Sequence, residues 1–236
     1  MPSDGTFEDY AREVISLYES QDLDSRHRLL NEVRDLNVKS VLDLGCGPGQ
    51  ELIPFAENTD AICIGVDEAE ELGRVAMPFF KERGLGTRVQ IVRAVAECLP
   101  FADGSFDLLL CRVALPYMHN RQAIAEMARL LLPGGTLLLR VHAPMFYLSM
   151  LRDRVRTLDP RQIAYPLLSL GHGLWHELTG HQARGGFWKG KEIYQSRRFL
   201  KREFGRHGLT IASETEGSSR EGPSFLIKKK EQIERS

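Results

Sequence analysis

The chain lacks the features that would carry it outside the ordinary globular class. Its four cysteines, Cys46, Cys63, Cys98 and Cys111, form no C-x-x-C pair, which argues for a reducing compartment rather than a disulfide framework. No uninterrupted apolar run approaches the roughly 20 residues of a membrane span. Charge is balanced, with 31 basic against 32 acidic side chains and a net charge of −1. That balance excludes a global electrostatic pull toward nucleic acid or acidic membranes. The polar start, Met1-Pro-Ser-Asp-Gly5, lacks the apolar core of a signal peptide. There is no internal repeat and no low-complexity linker. Together these absences predict a cytoplasmic, soluble protein, and 236 residues suit one α/β domain with elaborations.

What is present is organised around Val41-Leu-Asp-Leu-Gly-Cys-Gly-Pro-Gly-Gln50. Residues 41–44 read as a short buried strand carrying one acid, Asp43. The strand runs into glycines at alternate positions, Gly45, Gly47 and Gly49, and a helix follows from about residue 50 to 57. Glycines at such a junction let the backbone turn sharply and approach a ligand without an intervening Cβ.

The rest of the chain alternates strand and helix. Upstream, Phe7, Tyr10, Val14, Leu17 and Tyr18 make one helical stripe, and Leu29, Val33 and Leu36 a second. They predict a helical pair that packs on the domain edge or closes over a ligand with a hydroxyl from Tyr10 or Tyr18. Downstream, apolar runs at 61–66, 89–92, 106–111 and 136–141 are strands of the kind buried on both faces of a parallel sheet. Helices are expected at 68–83, interrupted by Pro78, and at 119–132. After His142 about fifty residues break the alternation before a basic helix at 191–207 and two strands, 209–215 and 224–229. The loop between those two is too short for a crossover, so they should pair antiparallel. The pattern predicts an α/β, doubly wound sheet of seven strands, mostly parallel with the last antiparallel and helices on both faces, whose ligand sits at the carboxyl ends of the strands.

Two ligand classes use this architecture. Dinucleotide folds space their glycines G-x-G-x-x-G, whereas this turn is spaced G-x-G-x-G. An acid at the end of the second strand, here Asp67, grips ribose hydroxyls in both classes and does not separate them. The glycine stretch resembles the first motif of the class I S-adenosylmethionine-dependent methyltransferases. Residues 93–107, which include Leu99-Pro-Phe101, resemble that family's third segment, and Arg129-Leu-Leu-Leu-Pro-Gly-Gly-Thr-Leu137 its fifth-strand approach. The likeness is to the small-molecule branch and covers about residues 38 to 142.

The resemblance implies a Rossmann-like fold, S-adenosyl-L-methionine as cofactor and S-adenosyl-L-homocysteine as product. It also implies roles. Gly45, Cys46, Gly47 and Gly49 would face the methionine part of the donor, Asp43 would hold its cationic amino group, and Asp67 would bind the ribose. The amide of Ala96 and the carboxylate of Glu97 would meet adenine, and Cys111 would offer its carbonyl. The sequence departs from the family at Val95, where an acidic or polar residue is usual, at Glu68, where an apolar residue packs on adenine, and at Arg112, where smaller residues are common. Arg112 reads either as an anion-binding group for the substrate or as a surface arginine.

Methyl transfer from a sulfonium chiefly requires positioning and exclusion of water, so no residue type is compulsory. Base candidates are His142, after the fifth strand, and His119, after the fourth. Tyr10, Arg112, Tyr117, Tyr147 and Trp175 are candidates for binding the acceptor. No metal is expected. His172 and His176 are four apart, but His176-Glu-Leu-Thr-Gly-His181 has one residue too many for H-E-x-x-H, and Gly171, Gly173 and Gly180 weaken a helix there.

The organisation expected is an N-terminal helical cap (1–37), a donor-binding core (38–142) and an inserted substrate cap (143–190). The C-terminal helix and last strands (191–230) and a tail (231–236) follow. Tyr165, Leu168, Leu174 and Trp175 would line the cap over an apolar or aromatic small-molecule acceptor, or form a dimer interface. The expected assembly is a monomer or homodimer, without nucleic acid or a membrane span. Methylation of RNA or protein is the alternative, supported only by the basic run Lys189, Lys191, Arg197, Arg198, Lys201, Arg202 and Arg206. A protein that binds the donor without turnover is the other.

Overall fold

The computed structural model describes residues 6–183, 186–188 and 191–231. Lys189 and all but the first residue of the 231–236 tail lie outside them.

Two helices open the chain, α1 (Phe7–Ser20) and α2 (Leu23–Glu32). The hydroxyl of Thr6 accepts from the Asp9 N–H and the Asp9 carboxylate accepts from the Thr6 N–H, a reciprocal cap that starts α1. Asp22 accepts from the Ser25 N–H at 2.7 Å and starts α2. Strand β1 (Ser40–Leu44) then enters the core and is followed by a 3₁₀ turn (Gln50–Leu52) and α3 (Ile53–Asn58). Next come β2 (Ile62–Asp67), α4 (Leu72–Glu82), β3 (Val89–Arg93) and β4 (Phe106–Arg112). A 3₁₀ turn (Leu115–Tyr117), α5 (Asn120–Leu130) and β5 (Leu131–Arg140) complete the alternating part. Helix α4 continues through Pro78 instead of breaking there.

The seven strands lie in the order β3-β2-β1-β4-β5-β7-β6, with β6 (Leu209–Glu214) and β7 (Ser224–Lys229) closing one edge. Strand β7 runs antiparallel to both β5 and β6, and the other pairings are parallel. The fold is therefore the seven-stranded, doubly wound sheet the alternation predicts. Its order reverses between β1 and β4, so a ligand site is expected at the carboxyl ends of those two strands.

Alternate side chains of one strand serve opposite layers. Leu108 and Leu110 join Phe55 and Phe80 under α1 to α4, while Leu109 and Cys111 join Ile124, Met127, Phe199 and Phe204 under α5 and α8 (Arg197–Arg206). Phe55, Phe80, Phe199 and Phe204 are all under 2% exposed. Truncating any of them to alanine should cost about 3–5 kcal/mol.

Residues 143–190 carry two helices that pack on each other, α6 (Pro144–Val155) and α7 (Pro160–Thr179). The glycines expected to weaken a helix here do not. Helix α7 runs 20 residues through Gly171 and Gly173 and stops at Gly180, at φ 72°. Gly173 has a packing reason, since a Cβ there would lie 2.3 Å from the Tyr194 ring. Among the described residues no helix is long and apolar enough to cross a membrane.

Candidate active site

At the end of β1, Gly45, Gly47 and Gly49 all take positive φ, at 73°, 54° and 85°, a region L-residues avoid. The Gly45 and Cys46 N–H groups both donate to the Val66 carbonyl, which ties the turn to β2. A Cβ on Gly45 would meet the Ala114 Cβ at 2.3 Å, and one on Gly49 would meet the Phe80 ring at 2.5 Å. A Cβ on Gly47 would lie 3.5 Å from the Tyr10 ring, so α1 lays that ring along the turn. From β4, Val113 takes φ 59°, an outlier for a β-branched residue. It links Arg112 to Ala114, the residue that abuts Gly45.

Two acids flank the turn. Asp43 is 1% exposed, and its Oδ2 is buried with no hydrogen-bond partner. Burial, then Glu51 and Asp67, push its carboxyl well above the usual range, with Arg112 opposing. Asp67 accepts from the Gly47 N–H through Oδ2 (3.0 Å) and from the Ala69 N–H through Oδ1 (3.1 Å). Each oxygen keeps a lone pair for a further donor.

A second centre forms around Glu192, which the sequence reading did not single out. It is 7% exposed and receives the hydroxyls of Tyr117 (2.6 Å), Tyr147 (2.6 Å) and Tyr165 (2.5 Å). Nδ1 of His142 lies 3.1 Å from its Oε2. Burial alone would raise the pKa of this carboxyl, but those four partners outweigh it and hold it at about 2. Burial, followed by the charge of Glu192, pushes the three phenols upward, so they remain hydroxyl donors. The main chain fixes the arrangement, because the Ile193 N–H donates to the Pro116 carbonyl and the Gln195 N–H to the His142 carbonyl. Phe146 stacks on the His142 ring at 3.9 Å. Glu192 thus gathers three of the expected residues, His142, Tyr117 and Tyr147.

The other candidates lie elsewhere. His119 is not among the partners of Glu192; it precedes α5, and its N–H donates to Glu97 Oε1 at 2.6 Å. That bond takes up one oxygen of the Glu97 carboxylate at the start of α5. Ala96 is buried, whereas Glu68 is exposed. Cys111 is buried, and its thiol is pushed up to about 12 by burial first and Asp43 second. Arg112 faces Glu51, with Nε to Oε1 at 3.6 Å.

The expected cap lining is not met at Leu174 and Trp175, which are 52% and 56% exposed on the outer face of α7. Among the described residues no three metal-ligating side chains converge. His172 and His176 are buried against the Trp188 and Phe199 rings, and burial above all brings His176 down to about 4. None of the four ring nitrogens of these two histidines has a hydrogen-bond partner among the described residues.

A family model described as a methyltransferase domain matches residues 41–135. The uncharacterised methyltransferase YcgJ of Bacillus subtilis is 40% identical over 103 residues, 43% of this chain and 40% of that protein. The YcgJ structure superimposes with a TM-score of 0.60 at 20% identity, covering 87% of this chain and 99% of that one. The 27-O-demethylrifamycin SV methyltransferase of Amycolatopsis mediterranei is 34% identical over 100 residues, 42% of this chain and 37% of that protein. The structure of the [4+2]-cyclase SpnF shares the fold at a TM-score of 0.61 and 19% identity, covering 86% of this chain and 80% of that one. In the sequence alignments the chain spans about two-fifths of the length of these curated relatives. The match begins at the first buried residues of β1 and takes in both glycine-bearing motifs, so residues 41–135 are similar in sequence to a methyltransferase domain.

Proposed function

We propose that the chain is an enzyme that moves the methyl group of S-adenosylmethionine to an atom of a small-molecule acceptor and releases S-adenosylhomocysteine. The observation that carries this reading is the unpartnered Oδ2 of Asp43 beneath the glycine turn. A buried acceptor without a donor costs about 1–3 kcal/mol, and the donor's ammonium group answers it. Asp67 would take the ribose hydroxyls with its remaining lone pairs, while the Ala96 amide would meet adenine and the Cys111 carbonyl the amino group. Tyr10 would shut water from the turn. A dinucleotide fits less well, because Glu51 sits in the first turn after the glycines, where a pyrophosphate needs a positive helix start.

Bound S-adenosylmethionine supplies a methyl group already activated by its sulfonium. The chain supplies a base. With Nδ1 of His142 held against the Glu192 carboxylate, the imidazole proton sits on Nδ1 and leaves Nε2 to take a proton from an acceptor. That arrangement favours a hydroxyl or another protic acceptor, and a relative named for methylating demethylrifamycin SV supports a small molecule.

Several basic side chains of α8 already face carboxylates. Arg206 pairs with Glu203 at 2.8 Å, Arg202 with Glu203 at 3.2 Å, and Arg197 with Glu214, which favours the small molecule over nucleic acid. The outer face of α7, with Leu174, Trp175 and Leu178 exposed, is the surface a homodimer would use.

The test is a screen of phenols, sugars, amines and carboxylates for formation of S-adenosylhomocysteine. Turnover with a protic acceptor supports the reading. Donor binding without turnover across the whole screen would leave a non-catalytic binding protein.

A further inference from the structure

Three arginines converge beside the glycine turn in a cavity of about 280 Å³. Arg112 ends β4, Arg140 ends β5, and the two occupy paired positions in the sheet register. Arg28 reaches the same cavity from α2. Adjacent strands run about 4.8 Å apart, so Arg112 and Arg140 stand as like charges on neighbouring strands, an arrangement that is destabilising unless an anion joins them.

The protein itself answers this charge only in part. Glu51 faces Arg112, and among the described residues the only hydrogen bond of Arg28 is a long one of 3.5 Å to the Ser25 hydroxyl. Among the described residues Arg140 has no ion-pair partner, and it is half-buried. Burial first, then Arg112 and Arg28, pulls its pKa below the usual value, with Glu51 opposing. Two polar atoms at the cavity, Arg112 Nε and Gln50 Oε1, are buried without a hydrogen-bond partner. Arg26 also lines the cavity, but its donors are committed to the Tyr18 and Glu19 carbonyls. The rest of the wall includes Val14, Leu17 and Leu29 from α1 and α2.

The cavity is continuous in sequence with the donor site. Gln50 and Glu51 directly follow Gly49, and Arg112 directly follows Cys111. A guanidinium offers forked donors that match a carboxylate or phosphate bidentately. We propose that this cavity is the oxyanion subsite of the acceptor, in which Arg28, Arg112 and Arg140 hold a carboxylate or phosphate group while its apolar body lies against Val14, Leu17 and Leu29. The inference rests on the methyltransferase reading, narrows the acceptor to an organic acid, and gives Arg112 the substrate role rather than a surface one.

The test is calorimetry on the full chain with three probes that share a ring, 4-hydroxybenzoate, phenyl phosphate and 4-hydroxybenzamide. S-adenosylhomocysteine binding is measured on the same samples. The expected result is binding of a charged probe, weakened by added salt, with the amide at least about tenfold weaker. Arg140→Gln and Arg28→Gln should each weaken the charged probe about tenfold and leave S-adenosylhomocysteine affinity unchanged, which also shows that the variants fold. Tighter benzoate identifies a carboxylate site, and tighter phenyl phosphate a phosphate site. Equal binding of amide and anions, no binding of either anion at millimolar concentration, or an anion preference that survives both variants overturns the proposal. A chain that binds the anion but no S-adenosylhomocysteine keeps the subsite and loses the methyltransferase reading. The opposite result does the reverse.

Discussion

Nδ1 of His142 lies 3.1 Å from Oε2 of Glu192, a buried carboxylate that also takes three tyrosine hydroxyls. The residues come from separate elements: His142 follows β5, Tyr117 ends the turn after β4, and Tyr147 and Tyr165 project from α6 and α7. One acid therefore fixes the inserted helices against the strand ends and orients the imidazole.

Glu192 should dominate stability in acid. Its carboxyl is held at about 2 in the folded chain against an ordinary 4.5, so the unfolded chain takes up the proton first as pH falls. The contribution, about 3 kcal/mol, is fully present above about pH 4.5 and is lost as pH drops toward 2. Urea unfolding should show Glu192→Gln a few kcal/mol weaker than wild type near neutrality, with the gap closing in acid. A gap independent of pH would contradict this account.

His142→Ala should lower kcat by about 10²–10⁴ for a protic acceptor and leave S-adenosylhomocysteine affinity unchanged. The rate should recover most with acceptors that arrive already ionised. An equal loss for ionised and protonated acceptors would assign His142 to packing against Phe146 instead.

Gly47→Ala and Gly49→Ala should separate binding from folding. At Gly49 the added methyl meets Phe80 at 2.5 Å, so thermal unfolding should report the larger loss, about 1–3 kcal/mol. At Gly47 the nearest neighbour is the Tyr10 ring at 3.5 Å, so the variant should stay closer to wild type in stability and lose donor affinity. Donor titration and a melting curve on both variants decide it.

Val113 carries backbone strain where β4 meets the glycine turn. Val113→Gly removes the left-handed penalty, and the native state should gain about 1 kcal/mol, less what glycine adds to unfolded-chain entropy. Donor binding should weaken as the Ala114 contact on Gly45 loosens. A variant that melts lower than wild type would show that the valine side chain outweighs its own strain.

The fold was legible because its signals are local. Continuous apolar runs such as 106–111 mark strands buried on both faces, and the alternate glycines from Gly45 to Gly49 mark the turn that ends the first. Asp43 and Asp67 are neighbours of those runs in sequence. Glu192 carries no such mark. It stands in a basic segment, and its partners Tyr165, Tyr147, His142 and Tyr117 are 27, 45, 50 and 75 residues away, so only the folded chain assembles them. Helix α7 was hidden for a related reason. Gly173 looks like a helix breaker until the Tyr194 ring is seen to occupy the space of its missing side chain. The arginine cavity depends on strand register, which places Arg112 beside Arg140; composition shows only a balanced charge.

The most direct test is calorimetric titration of the chain with S-adenosylmethionine and with NAD side by side, repeated on Asp67→Ala. The account predicts binding heat from S-adenosylmethionine that is lost in the variant, and none from NAD. Heat from NAD with none from S-adenosylmethionine would contradict it.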